Sequence, residues 1–144
     1  MQGRYTVVVE GGNRMIFPAD FRKNFDERVI VAVSMNNRCL RVYSEEDFDN
    51  ISVKLLEDGK TKAEALKIVR FLSANAYKIK IDKTGRLNFK DEAFELLEYA
   101  NIEETAVFVG VGKIVEIWNK AASEKVNSLS NIEKLAPLVV DTDL

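Results

Sequence analysis

Two stretches half a chain apart carry the same pattern: R-Y-T-V-V-V-E-G-G-N-R-M-I-F at residues 4–17 and A-Y-K-I-K-I-D-K-T-G-R-L-N-F at residues 76–89. Tyr5 aligns with Tyr77, Val7 with Ile79, Val9 with Ile81, Glu10 with Asp82, Arg14 with Arg86, Met15 with Leu87 and Phe17 with Phe89. The apolar residues alternate in phase, which predicts strands that bury Tyr5/Val7/Val9 and Tyr77/Ile79/Ile81 and turn Lys78 and Lys80 outward. A β-unit this small cannot bury its sheet alone. Two copies in one chain are expected to pair with each other, as a homodimer pairs two chains. The repeat therefore predicts a pseudo-symmetric barrel, mainly β with helices, in the α+β class.

Each copy turns at the same place. Asn13 and Gly85 stand immediately before the arginines, and both residue types tolerate positive φ, which predicts hairpin loops of three to five residues with a left-handed residue there. An arginine at such a tip can reach phosphates or contact guanine in the major groove, which admits a two-stranded ribbon. The acid four residues earlier, Glu10 or Asp82, has two sensible roles: to pair with the arginine across the turn, or to accept turn N–H groups.

A short helix is expected after each hairpin. Pro18 suits a first helical position, with Phe21 and Phe25 inward. Asp91 suits an N-cap, with Phe94 and Leu97 inward. Each copy then returns to two strands, V-I-V-A-V and C-L-R-V-Y in one, A-V-F-V-G-V and I-V-E-I-W in the other. Helices fill the interval between copies. Ser44 and Asp47 form a capping signature ahead of Phe48, Ile51 and Leu55, Gly59 ends that helix, and a second buries Ala65, Leu66, Val69 and Leu72. A third helix follows Asn119, and a loosely held polar tail is expected after about residue 127. The expected units are 4–46, 47–74, 75–119 and 120–144.

Composition narrows the chemistry. The chain has no histidine and one cysteine, Cys39, so histidine-based catalysis is excluded and a transition-metal site is not expected. Cys39 reads as a buried thiol in a protein of a reducing cytoplasm. No phosphate-binding glycine loop is present, and no cofactor, small-molecule substrate or membrane association is expected. Net charge is −2, yet residues 77–90 hold five bases (Lys78, Lys80, Lys83, Arg86, Lys90) against one acid. Residues 1–43 are likewise basic, with seven bases to four acids. Both tips thus lie in basic segments, a hint of polyanion contact.

D-K-T-G-R (82–86), N-R-M-I-F-P-A-D-F-R (13–22), F-L-S-A-N-A (71–76) and V-G-V-G-K-I-V-E-I-W (109–118), in this order, resemble the MraZ family of AbrB-like swapped-hairpin transcription regulators. The resemblance runs from about residue 3 to residue 120. It implies two tandem AbrB-like units in one swapped-hairpin barrel. It also implies a cytoplasmic, nucleoid-associated protein that binds repeated double-stranded DNA sites upstream of a division and cell-wall gene cluster, often its own operon, as a ring of subunits. It maps the family's tip arginines onto Arg14 and Arg86, their acidic partners onto Glu10 and Asp82, and a further arginine onto Arg22. Together with Lys78, Lys80, Lys83, Asn13 and Gly85, these residues are the expected DNA-contacting set. Glu10 stands where the family has aspartate, and Gly11-Gly12 where a basic residue is usual. A rival reading keeps the ring but not the DNA, as a protein-interaction or antitoxin-like module. Of the two arginines, Arg86 is expected to matter more, because its tip matches the family motif better.

Overall fold

β1 (Arg4–Val8) does not pair with the strand that follows it. Its partner is β7 (Thr105–Val111), in the second copy. Reciprocally β5 (Tyr77–Lys80), the second copy's first strand, pairs with β3 (Arg28–Val33) of the first. β3 continues to β4 (Leu40–Tyr43) and β7 to β8 (Ile114–Trp118). β4 and β8 join the halves, giving one antiparallel sheet in the order β1-β7-β8-β4-β3-β5. Exchanging the copies reverses that order into itself, so a pseudo-twofold axis crosses the sheet between β4 and β8.

The computed structural model describes all residues 1–144. The swapped pairing is the expected one, but the strands do not close into a continuous hydrogen-bonded barrel. β2 (Arg14–Ile16) and β6 (Arg86–Asn88) pair only with each other, as a separate ribbon in which Met15 faces its counterpart Leu87. Three residues each are too few to bridge both sheet edges. The ribbon is extended by Phe17 N–H donating to Gly85 O (2.8 Å) and Phe89 N–H to Asn13 O (2.9 Å), so each turn is held by the other copy.

Met15, Phe17, Phe21, Leu87, Phe89, Leu96, Leu97 and Phe108 fill one core shared by both copies. Neither copy has a core of its own. Tyr5, expected inside, lies on an edge strand and stays 39% exposed, with its ring edge-on to Phe21. Each copy's tyrosine hydroxyl is tied to an acid on the helix that follows: Tyr5 to Asp20, Tyr77 to Glu95 (2.6 Å).

Helix α1 (Ala19–Arg22) starts one residue later than expected. Pro18 is its N-cap, and its carbonyl accepts from Phe21 and Arg22. Asp91 does not cap α5 (Phe94–Tyr99). It takes a positive φ of 55° and opens a 3-10 turn, Asp91–Ala93, that runs into the helix. The buried stripe is Ala93, Leu96, Leu97 and Ala100, which leaves Phe94 about 100° away and 40% exposed.

Ser44 caps α2 (Glu45–Asp49), its hydroxyl accepting from Asp47 N–H at 3.1 Å. A break at Asn50 separates α2 from α3 (Ile51–Glu57), which Gly59 ends at φ 90°. α4 (Lys62–Ala74) opens with a Thr61/Glu64 capping box. Its inner stripe is Ala65, Ile68 and Leu72, so Leu66 faces outward at 57% exposure.

The C-terminal segment begins with the expected helix after Asn119 and continues as an exposed, locally coiled and partly aliphatic tail. After α6 (Lys120–Asn127), capped by Asn119 Oδ1, the chain coils through a 3-10 turn at Leu129–Asn131, α7 (Ile132–Leu135) and a 3-10 turn at Ala136–Val139. Leu129, Ile132, Leu135 and Leu138 are 87%, 66%, 54% and 78% exposed. They recur every third residue, and in a 3-10-rich coil residues i and i+3 eclipse into one stripe.

Candidate nucleic-acid interface

Both turns have the expected backbone. Asn13 and Gly85 sit in the left-handed region, at φ 59° and 82°, and the residue before each three-residue loop donates its N–H to the arginine carbonyl: Glu10 to Arg14 (2.7 Å), Asp82 to Arg86 (3.0 Å). Elsewhere the two tips differ: Gly12 also takes a positive φ, 80°, and its counterpart Thr84 does not.

The second turn is locked. Asp82 Oδ1 accepts from Thr84 N–H (2.9 Å), Thr84 Oγ1 (2.7 Å) and Arg86 N–H (2.9 Å). The Arg86 N–H and then the Thr84 hydroxyl hold its carboxyl below the ordinary aspartate value of 3.8. Of the two roles open to this acid, Asp82 takes the second. From the first copy, half-buried Arg22 donates through Nη1 to Phe17 O (3.0 Å) and Gly85 O (3.3 Å). Its guanidinium occupies the space a side chain at position 85 would need, because a Cβ there would lie 1.9 Å from Arg22 Nη1. Gly85 is thus favoured by its φ, and a side chain there would also displace the Arg22 guanidinium from its two carbonyls.

The first turn has neither device. Phe94, not an arginine, is α5's counterpart to Arg22, and Glu10 does not cap its own loop. Instead Arg86 Nε donates to Glu10 Oε2 at 2.8 Å, across the copies. No reciprocal Arg14–Asp82 pair forms. Arg14 is exposed, and its side chain makes one long contact, Nε to Gly11 O at 3.3 Å. The arginine expected to be the better contact is engaged, and its counterpart is free.

Arg14 lies beside Asn88 on the ribbon and borders an open cleft of about 700 Å³ against the second copy's hairpin. Lys78, Lys80, Lys83 and Lys90 line the same cleft. Lys78 pairs with Glu45 (3.3 Å) and Lys80 with Glu27 (3.0 Å), but all four groups are about half exposed or more, and such pairs yield readily to a phosphate. On the pseudo-equivalent side of the ribbon the counterparts of these lysines are Thr6, Val8, Gly11 and Pro18. The lysines are therefore one-sided, in a cleft that Asp82, Asp91 and Glu92 also line. Of the expected contact residues, Arg14, Lys78, Lys80 and Lys83 meet in the cleft, Asp82 borders it, Asn13 and Gly85 build the turns, and Arg22 and Arg86 point their guanidinium groups at protein acceptors. Lys90 is the addition; its place in a basic run was visible, but not its convergence with Arg14.

Cys39 is fully buried against Val107 and Trp118. Burial, with Glu116 nearby, pushes its thiol up to about 12, so it is inert.

A duplicated swapped hairpin with charged turns at both ends of a central ribbon defines the AbrB-like class. The chain belongs to the MraZ family: the family model described as "MraZ protein, putative antitoxin-like" matches it twice, at residues 1–71 and 72–137. It is 34% identical to a "Transcriptional regulator MraZ" of Thermoanaerobacter sp. (strain X514), over 100% of this chain and 99% of the relative. A protein of the same name from Thermoanaerobacter pseudethanolicus is 35% identical over 92% of this chain and 90% of the relative, and one from Clostridium tetani 34% over 91% and 89%.

Proposed function

We propose that this chain is a DNA-binding transcriptional regulator rather than an enzyme, and that Arg14 with Lys78, Lys80, Lys83 and Lys90 forms its contact to duplex DNA. One observation carries the reading: a chain of net charge −2 gathers five bases, against the three acids Asp82, Asp91 and Glu92, around one cleft beside a two-stranded ribbon. Lysines of this kind meet phosphates, and an arginine at a ribbon tip can read a guanine edge. Arg22, Asp82, Asn13 and Gly85 set the shape of the tips. Full-length similarity to proteins named as transcriptional regulators supports the same reading. On this reading the protein acts in the cytoplasm, at the nucleoid. The targets on this reading are repeated sites upstream of a division and cell-wall gene cluster, including the protein's own operon.

One such cleft binds weakly. Several copies over repeated sites gain about 10²–10⁴-fold through effective concentration. The exposed stripe Leu129–Ile132–Leu135–Leu138 supports assembly, since unpartnered aliphatic surface of this kind marks an interaction site. The occupant proposed is another copy of the chain, and the assembly a closed ring.

The test is fluorescence anisotropy on a duplex from upstream of the protein's own gene, against a scrambled duplex, at two salt concentrations. The expected result is preference for the native duplex with affinity falling steeply as salt rises. An assembled, folded protein that binds neither duplex would favour the protein-interaction reading.

A further inference from the structure

We propose that Glu10 holds Arg86 out of the DNA-contacting face, so that DNA is engaged by one half of the pseudo-symmetric ribbon and the other half is kept in reserve. The proposal rests on the DNA-binding reading and specifies which residues carry it. Its basis is the difference between the two acids. Asp82 is short and gives one oxygen to three donors of its own turn. Glu10 occupies the same place with one more methylene, accepts nothing from its own turn, and meets Arg86 Nε of the other copy at 2.8 Å. Asp82, committed to its loop, makes no such bond to Arg14.

Consequences follow for both tips. The Arg86 side chain is 28% exposed and aimed at a carboxylate. Its Nε is committed to that partner, and the Glu10 carboxylate repels a phosphate that approaches the remaining N–H groups. Around Arg86 the lysine positions are filled by Thr6, Val8, Gly11 and Pro18, and Arg22, the cation that reaches Gly85, spends its Nη1 on backbone carbonyls. Arg14 shares its cleft with four lysines and with Asp82, Asp91 and Glu92, and forms an ion pair with none of these acids. The Gly11-Gly12-Asn13 loop, with positive φ at Gly12 and Asn13, lets its tip adjust. A contact that gives up only half-exposed lysine pairs and one long arginine bond forms first.

Glu10→Asp is the sharp test, because it keeps the charge while shortening the reach. Shortened, the carboxylate falls back onto its own loop, as Asp82 does, and Arg86 is released. Affinity for the native duplex is expected to rise at least about fivefold, the lower end of what one added arginine contact supplies. The gain is expected to vanish in Glu10→Asp/Arg86→Ala. Arg14→Ala is expected to cost at least about fivefold more affinity than Arg86→Ala. The Arg86 Nε–H resonance, followed by NMR without DNA, should shift in Glu10→Asp and Glu10→Gln but not in Lys113→Gln.

Wild-type binding with Glu10→Asp unchanged, or with Arg86→Ala as damaging as Arg14→Ala, overturns the proposal and leaves the DNA-binding reading intact. A wild-type chain that binds no duplex overturns that reading, and the proposal with it. An Arg86 resonance insensitive to position 10 overturns the pairing on which the proposal stands.

Discussion

Arg41 and Glu116 face each other across the pseudo-twofold axis of the sheet, with Arg41 Nε donating to Glu116 Oε2 at 3.2 Å. They are counterparts, since β4 and β8 pair with Leu40 opposite Ile117 and Val42 opposite Val115. A true homodimer would place like against like at this point. Duplication within one chain lets the two sides diverge, and here they have become a base and an acid. Trp118 Nε1 donates to the other carboxylate oxygen at 3.2 Å, so Glu116 is satisfied on both sides while only 8% exposed.

Glu116→Arg should therefore restore the like-charge meeting. Breaking a fully buried pair costs about 3–5 kcal/mol. With the Arg41 side chain about a third exposed, about 2 kcal/mol is expected, or a melting temperature lower by about 4–8 °C for a chain of this size. The exchange Arg41→Glu/Glu116→Arg should recover part of the loss, because the charges again oppose, but not all of it, because the Trp118 contact is displaced. A thermal scan of the wild type and the two variants decides it; an exchange no better than the single variant would deny the pairing.

Gly85 and Arg22 make a second testable pair. Gly85→Ala adds a Cβ to a residue at φ 82° and drives it to within 1.9 Å of Arg22 Nη1. A loss of about 2 kcal/mol is expected, shared between backbone strain and displacement of the guanidinium. Arg22→Ala opens the space, so the double variant should lose less than the sum of the singles. Chemical denaturation of the four proteins gives the cycle. Asn13→Gly, where no side chain intrudes, should change stability little.

Legibility in the sequence followed the range of the interaction. The hairpins were readable because alternation and a left-handed residue are local signals, and Asn13 and Gly85 sit where those signals put them. Which acid meets which arginine was not readable. It depends on β2 and β6 lying antiparallel, which carries Arg86 toward the other copy's Glu10, and on one methylene of reach. Phe94 and Leu66 were misplaced because a stripe starting one residue away fits the same spacing. The tail was missed because its aliphatic residues repeat every three residues, and a period of 3.6 does not reveal them.

That tail carries a prediction of its own. Replacing Leu129, Ile132 and Leu135 with serine removes most of an exposed stripe without touching the shared core. Secondary structure and melting temperature should change little. Sedimentation should shift toward the 16.3 kDa monomer, and affinity for a duplex carrying several repeats should fall by about tenfold or more, because effective concentration is lost. Affinity for a single-repeat duplex should hardly move. A triple variant that sediments like the wild type would show that copies meet elsewhere.

Asp82 supplies a pH dependence whose sign is fixed by its hydrogen bonds. Donors from Arg86 and Thr84 favour the charged carboxylate and set its folded value below the ordinary 3.8. The stabilisation is therefore fully present above that value and is lost as pH falls through the lower, folded one. Because the carboxylate is exposed, the effect is local: the 83–85 loop should loosen in acid while the core holds. The Thr84 and Arg86 amide resonances, followed by NMR from pH 6 to pH 2, should move with one midpoint below 3.8, and the core amides of Leu87 and Phe89 should not follow them. Asp82→Asn keeps an oxygen acceptor but removes the charge that strengthens all three bonds, so the transition should disappear and the loop should stay partly loosened at neutral pH. A midpoint at or above the ordinary value would mean that the three donors do not hold the charged form.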